Sequence, residues 1–316
     1  MEMKPLSEGF GEALLELGEN NPELVVIGCD ISDSIRVGWY RDAFPERFIS
    51  VGIAEQNAAG ISAGLALAGM VPVYGTYGVF AAGRALDQIR TSIAYPGLKV
   101  IICGAHGGIS VGPDGGTHQA LEDIAAMRVL PGMTVISPSD ANVARKATVA
   151  AFDSIDGPVY IRTGREPVPL FTDEDEDIEI GKAIVRRRGE DIALMATGPL
   201  VYEAMIAAEI LENRGVSAEV LDIHTVKPLD RETVLRSAEK CGLVVTLEEH
   251  QIAGGLGGCV AELLASEHPV PVEFIGVDDR FGESGAPGVL MEEFGFTGEK
   301  IALRVSDMLR RKGDSR

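Results

Sequence analysis

The sequence is short of positive charge: 28 Lys and Arg stand against 48 Asp and Glu, a formal net charge of −20. Holding nucleic-acid phosphates needs a basic surface, so that class of function is excluded. Cysteine is scarce as well. Cys29, Cys103, Cys241 and Cys259 are too widely spaced to form a metal-binding or redox pair, and they read as small buried residues of a reduced, cytoplasmic protein. The opening Met1-Glu2-Met3-Lys4-Pro5 lacks the basic flank and apolar run of a signal peptide, so nothing in it directs export. Charge is missing altogether from Ala58 to Gly83, a stretch long enough to imitate a membrane span, but Pro72 and six glycines interrupt it. A buried helix followed by a buried strand fits better, and no membrane role is expected. Repeats at solenoid periods are also absent.

With 316 residues, 46% apolar and 24% charged, the chain has material for two domains with ample core. Short β-rich apolar runs alternate with helical patterns, which predicts parallel α/β layers. In the first part, strands are expected at Leu24–Cys29, Arg47–Val51, Val71–Tyr74, Lys99–Cys103, Thr134–Ser137 and Val159–Arg162. Helices are expected at Ser7–Leu17, Ala54–Ala68, Ala81–Ile93, Ala120–Val129 and Ser139–Phe152, the last opened by the cap signal Ser139-Asp140. The run Thr172-Asp173-Glu174-Asp175-Glu176-Asp177-Ile178-Glu179 repels itself and reads as a solvated linker, with an acidic docking strip as the alternative. Beyond it, strands at Ile192–Ala196, Ser217–Leu221, Leu243–Leu247 and Val272–Ile275 alternate with helices at Val201–Asn213, Arg231–Lys240 and Gly257–Ser266. The expected fold is α/β: a doubly wound domain over residues 1–172 with a mainly parallel six-stranded sheet, a linker at 173–180, and a smaller mixed-sheet domain over 181–316.

Three stretches carry chemistry. Glu55 stands at the head of a helix with no further charge until Arg84. An acid in such apolar surroundings must be neutralised or paired, either of which makes it useful; the plain alternative is a solvated residue complementing the helix dipole. The glycine-rich segment Cys103–Gln119 leaves a strand and carries His106, Asp114 and His118, at the strand end where ligands of parallel sheets bind. Those side chains can move protons or hold hydroxyls, or they are incidental to a surface loop. Tyr77 and Phe80 follow another strand and can flank a flat ring or simply pack in the core. Arg162 and Arg165 follow a sixth strand and either grip an anion or brace the strand edge.

Gly52-Ile53-Ala54-Glu55-Gln56-Asn57, Thr76-Tyr77-Gly78-Val79-Phe80, Ala85-Leu86-Asp87-Gln88-Ile89-Arg90, Asp114-Gly115-Gly116-Thr117-His118-Gln119 and Pro138-Ser139-Asp140 resemble, in order and spacing, the pyrimidine-binding domain of transketolase. Thr225-Val226-Lys227-Pro228-Leu229-Asp230 and Glu248-Glu249-His250-Gln251-Ile252-Ala253-Gly254-Gly255 resemble the C-terminal domain of the same enzymes, so the likeness spans nearly the whole chain. The resemblance implies thiamine diphosphate chemistry on sugar phosphates in the pentose phosphate pathway. Glu55 would bond N1′ of the aminopyrimidine and so help remove the thiazolium C2 proton, which requires a poorly hydrated carboxyl group. Tyr77 and Phe80 would line the pyrimidine, and Ile53 would press the cofactor into its bent form. His106 and His118 would assist proton movement at the sugar, Asp114 would hold the hydroxyl beside the carbonyl, and Ser34 and Arg165 would hold the sugar phosphate. One departure is Ser7, at the place where many relatives carry a phosphate-gripping arginine; the alternatives are a weaker hold on phosphate, or another basic group in its place, Lys4 or one from a neighbouring chain.

The Gly-Asp-Gly segment with its downstream asparagine, through which complete transketolases bind the diphosphate and metal, has no counterpart here; Gly28-Cys29-Asp30 and Pro113-Asp114-Gly115 do not replace it. The expectation is a split enzyme: a separate N-terminal subunit supplies the diphosphate domain and magnesium, in an α2β2 assembly, with no metal site in this chain. Buried contact with other subunits would also explain why the apolar helix expected at Ala54–Ala68 lacks a polar face. The alternatives are half of a 1-deoxyxylulose-5-phosphate synthase and the beta subunit of a 2-oxoacid dehydrogenase. The segment at Asp114–Gln119 favours sugar transfer over the latter. A dinucleotide-binding reading of Gly254–Gly258 lacks the full fingerprint, and a cofactor-free structural subunit is the non-enzyme alternative.

Overall fold

The computed structural model describes residues 1–314, with side chains described through Arg310. In chain order the elements of the first unit are β1 (Met3–Pro5), α1 (Leu6–Asn20), β2 (Leu24–Gly28), α2 (Val37–Ala43), β3 (Phe48–Ser50), α3 (Glu55–Leu67), β4 (Val71–Tyr77), α4 (Leu86–Gln88), β5 (Ile101–Ala105), α5 (Asp123–Arg128), β6 (Thr134–Ile136), α6 (Ala141–Ser154), β7 (Val159–Arg162) and β8 (Pro167–Pro169). The second unit comprises β9 (Ile184–Arg187), β10 (Ile192–Ala196), α7 (Leu200–Glu212), β11 (Ala218–Asp222), β12 (Thr225–Lys227), α8 (Arg231–Cys241), β13 (Val244–Gln251), α9 (Leu256–Glu267), β14 (Val272–Val277), α10 (Pro287–Glu293) and α11 (Gly298–Asp314).

The six strands expected in the first part pair in parallel in one sheet of order β6-β7-β5-β4-β2-β3. All five residues of β2, Leu24–Gly28, are buried, as a strand covered by helices on both faces requires. One layer packs Phe10, Leu14, Tyr40 and Phe152 on the sheet, and the other packs Ala58, Ala63, Ile89 and Ile124. The second sheet runs β14-β13-β10-β11-β9, with β9 antiparallel to β11, so it is mixed as expected. The short β1 and β8 pair with each other, antiparallel. No helix among the described residues is long and apolar enough to cross a membrane.

Besides β1, α2, β8, β9, α10 and α11, for which no element was expected, further details differ from expectation. The first sheet has a seventh strand: β12, from the second unit, joins β6 antiparallel, and Lys227 Nζ donates to the Arg128 and Leu130 carbonyls at 2.8 and 2.5 Å. The helix expected at Ala81–Ile93 instead runs in wide π turns at Val79–Arg84 and Ile89–Ala94 on either side of α4. α3 is buried on one face only, at Glu55, Ala58, Ala59, Ser62 and Ala63, and its Gly60, Gly64 and Leu67 are exposed, because none of the described residues covers them. The acidic linker is solvated at Asp173–Asp175, but Glu176 pairs with Arg186 at 2.7 Å, and Asp140 accepts the Phe171 and Thr172 N–H groups while capping α6 through Val143 N–H. Of the cysteines, Cys29, Cys103 and Cys241 are buried and Cys259 is half-buried; none is bridged.

Candidate active site

The strand order β3-β2-β4-β5 reverses direction between β2 and β4, so the crevice beyond their carboxyl ends is where a ligand of such a sheet sits. Glu55 enters that crevice from the first turn of α3 and is 1% exposed. Its charge is paired. Arg84 Nη1 lies 2.8 Å from Oε2, and Thr76 Oγ1, at the end of β4, donates to Oε1 at 3.2 Å. Arg84, the residue that ends the uncharged stretch, is therefore the partner of the acid that begins it. A π turn brings Arg84 there, with its guanidinium 4.1 Å from the centre of the Phe80 ring.

The aromatic and imidazole rings form one cluster. Tyr77 lies 4.0 Å from His106 and 6.0 Å from Phe80, centre to centre, and His118 stands edge-on to Phe80 at 5.5 Å and to Tyr77 at 6.0 Å. His106 follows β5 in a left-handed conformation, φ 57°, and is 4% exposed with Nδ1 lacking a partner. Burial first, then the Arg165 charge, push its pKa down to about 4; Asp114 opposes this and His118 adds to it. His106 is thus a neutral imidazole at pH 7. His118 Nδ1 is 3.0 Å from Thr117 Oγ1. Arg165 lies 3.5 Å from Asp114 and donates to the Val111 carbonyl at 2.8 Å. His106, Asp114, His118 and Arg165 are consequently drawn together by one loop and the end of β7.

Other expected site residues stand apart. Ile53, 72% exposed, projects from the turn before α3. Ser34 lines a surface cavity of about 340 Å³ with Asp30, Asp33, Arg41, Phe48 and Ser50, beyond β2 and β3. Arg162 grips no anion: its guanidinium is buried against the buried Asp123 carboxylate at 2.9 Å, which also accepts the Tyr160 hydroxyl at 2.8 Å, and Nη2 donates to the Ala120 and Glu249 carbonyls. Lys4 is held by both oxygens of Glu12 at 2.7 and 2.9 Å, so it is not free to substitute for the arginine absent near Ser7. Arg36 packs on the first turn of α1 and is likewise held: Nη2 reaches Glu8 at 3.2 Å, Nη1 donates to the Asp33 carbonyl at 2.8 Å, and Nε is buried with no partner among the described residues. Its left-handed backbone, φ 64°, left no mark in the sequence. Thr76 and Arg84 were also missed, although the single charge closing the apolar run was a legible hint of the latter.

Comparison with known proteins agrees with this geometry. Residues 2–169 match the family profile described as the transketolase pyrimidine binding domain, and residues 181–301 the one described as the transketolase C-terminal domain. The chain is 42% identical over 316 residues, 98% of each chain, to a provisionally named transketolase C-terminal section of Methanocaldococcus jannaschii. It is also 42% identical over 310 residues, 97% of this chain and 95% of the other, to a 6-deoxy-6-sulfo-D-fructose transketolase subunit of Clostridium sp. strain MSTE9. A solved structure described as a split gene transketolase, inactive beta4 tetramer, superposes with a TM-score of 0.90 at 45% identity, covering 96% of this chain and 98% of that one. The chain belongs to the transketolase family, whose pyrimidine-binding and C-terminal domains it carries.

Proposed function

We propose that this chain is the C-terminal subunit of a split transketolase that moves a two-carbon ketol unit between sugar phosphates, and that a separate N-terminal subunit supplies the diphosphate- and magnesium-binding domain in an α2β2 enzyme. The observation that carries the proposal is the crevice in which a buried, paired Glu55 stands at the strand ends beside the ring cluster of Tyr77, Phe80, His106 and His118. Those residues fit the aminopyrimidine end of thiamine diphosphate: a shielded carboxyl group for a ring nitrogen and aromatic faces for a flat ring. When bound, the cofactor supplies a thiazolium carbon that becomes nucleophilic on losing its proton.

The chain's own residues have separable tasks. Glu55 holds the proton at the ring nitrogen, and Thr76 fixes the orientation of its carboxyl group. Arg84 compensates the charge of the buried Glu55 carboxylate. His106, neutral at pH 7, hydrogen-bonds sugar hydroxyls without adding charge, and His118, anchored at Nδ1, presents Nε2 for proton transfer. Asp114 holds the hydroxyl beside the carbonyl. Arg165 attracts the anionic end of the substrate, and Ser34, on the surface cavity beyond β2 and β3, is the hydroxyl that the family likeness assigns to the same end. That end need not be phosphate, since the name of the Clostridium relative specifies a sulfo sugar.

The description of the solved relative as an inactive tetramer of beta chains supports the need for a partner in this protein as well. The test mixes this chain with its N-terminal subunit, magnesium and thiamine diphosphate, and follows ketol transfer from xylulose 5-phosphate to ribose 5-phosphate. Activity only in the mixture is expected; equal activity from this chain alone would refute the split-enzyme reading.

A further inference from the structure

Glu249 lies near the end of β13 in the second unit, yet its carboxylate reaches a loop of the first. It is 2% exposed, Oε1 accepts the Ser110 N–H at 2.5 Å, and its carbonyl accepts Arg162 Nη2 at 2.8 Å. The chain crosses this carboxylate at Gly108. There φ is +94°, and an added Cβ would lie 2.3 Å from Glu249 Cδ and Oε1, so only glycine lets the backbone approach this closely. The turn over Glu249 begins at His106 and leads to Val111, whose carbonyl accepts Arg165. Gln119, beside His118, closes the same loop by donating to the Ile109, Gly112 and Glu283 carbonyls.

Glu249 Oε2 is buried and has no partner, and burial pushes this carboxyl group above the usual range. A purely structural seam between domains would be better served by an apolar side chain, which carries no desolvation penalty. Retaining an acid makes sense if its placement of Ser110 matters.

We propose that Glu249 is the positioning residue of the active-site loop, fixing the turn from Gly107 to Ser110 so that the His106 ring is held against Tyr77 beside Arg165. Its relevance to catalysis rests on the proposed transketolase reading, but its effect on the loop can be measured in the isolated full-length chain without cofactor, partner or substrate. The readout is the ¹H NMR titration of His106, a ring that Tyr77, His118, Asp114 and Arg165 face. In the unaltered protein the midpoint is expected at about 4, because burial and the Arg165 charge disfavour the protonated ring. Glu249→Gln keeps an oxygen to accept from Ser110, so His106 should stay there. Glu249→Asp keeps the charge but withdraws the carboxylate by one methylene, and Glu249→Ala removes it; in both, a loosened loop hydrates His106 and its midpoint should rise towards 6.5, while the remote His224 remains depressed.

General destabilisation of the fold would move both histidines or neither. Should Glu249→Ala fail to fold, Glu249→Asp decides. A midpoint near 4 in every folded variant would overturn the proposal. In the assembled enzyme, turnover should fall at least tenfold for Glu249→Asp and recover with Gln; an enzyme with no ketol transfer even when unaltered would count against the functional reading and leave the NMR result for Glu249 standing.

Discussion

His106 shows how this protein makes an imidazole without charge. Desolvation dominates, and the nearby Arg165 guanidinium further disfavours protonation while Asp114 favours it. The signs can be tested separately. Arg165→Gln removes the repelling cation, so the His106 midpoint should rise from about 4; Asp114→Asn removes the attracting anion, so it should fall. Opposite movements in an NMR titration would confirm this electrostatic arrangement, and movement in the same direction would contradict it. At this scale the sequence was most legible where chemistry constrains several neighbours at once. Glu55, Tyr77, Phe80, His106 and His118 stood out and lie together, whereas Arg162 and Arg165 looked equivalent. Only burial separates them: the fully covered Arg162 serves Asp123, and the half-exposed Arg165 remains with the loop. Burial depends on what packs from elsewhere in the chain, which a local pattern does not record.

At the scale of elements, the buried Arg162–Asp123 pair joins β7 to α5 and, through the Glu249 carbonyl, to β13. Removing one member of such a pair strands the other charge in the interior, and this typically destabilises by about 3–5 kcal/mol. Asp123→Asn should therefore lower the urea-unfolding free energy by roughly that amount, because the Arg162 guanidinium is left buried without its counter-charge while the remaining amide oxygen can still accept from Tyr160. A loss below about 1 kcal/mol would show that the pair is relaxed by water and is not a true seam. Long apolar strands and helices with 3.6 spacing were readable, because alternation of buried strand and amphipathic helix is imposed by the two-faced parallel sheet. The π turns around α4 were not, since widened turns shift the side-chain phase that the reading depends on. The three-residue strands β1, β8 and β12 are too short to show a period, and β12 joins its sheet through tertiary pairing with β6.

For the whole molecule, the two units are interlocked and not merely tethered. β12 completes the first sheet, Ser139 donates to Asp222 at 2.8 Å, and Gln251 N–H donates to the Leu121 carbonyl at 2.8 Å. On α3 the two units leave Gly60, Gly64 and Leu67 covered by none of the described residues. The exposed face of α3, with Gln56, Asn57, Gly60, Gly64 and Leu67, carries no charged side chain.

In the proposed function, Glu55 activates thiamine diphosphate once a second subunit has brought the rest of the pocket. Hydrogen–deuterium exchange at C2 of the bound cofactor, measured in the assembled enzyme, tests it most directly. Glu55→Gln should slow that exchange by about a hundredfold or more while the cofactor still binds and the fold is unchanged; exchange at the unaltered rate in the fully loaded variant would contradict the claim.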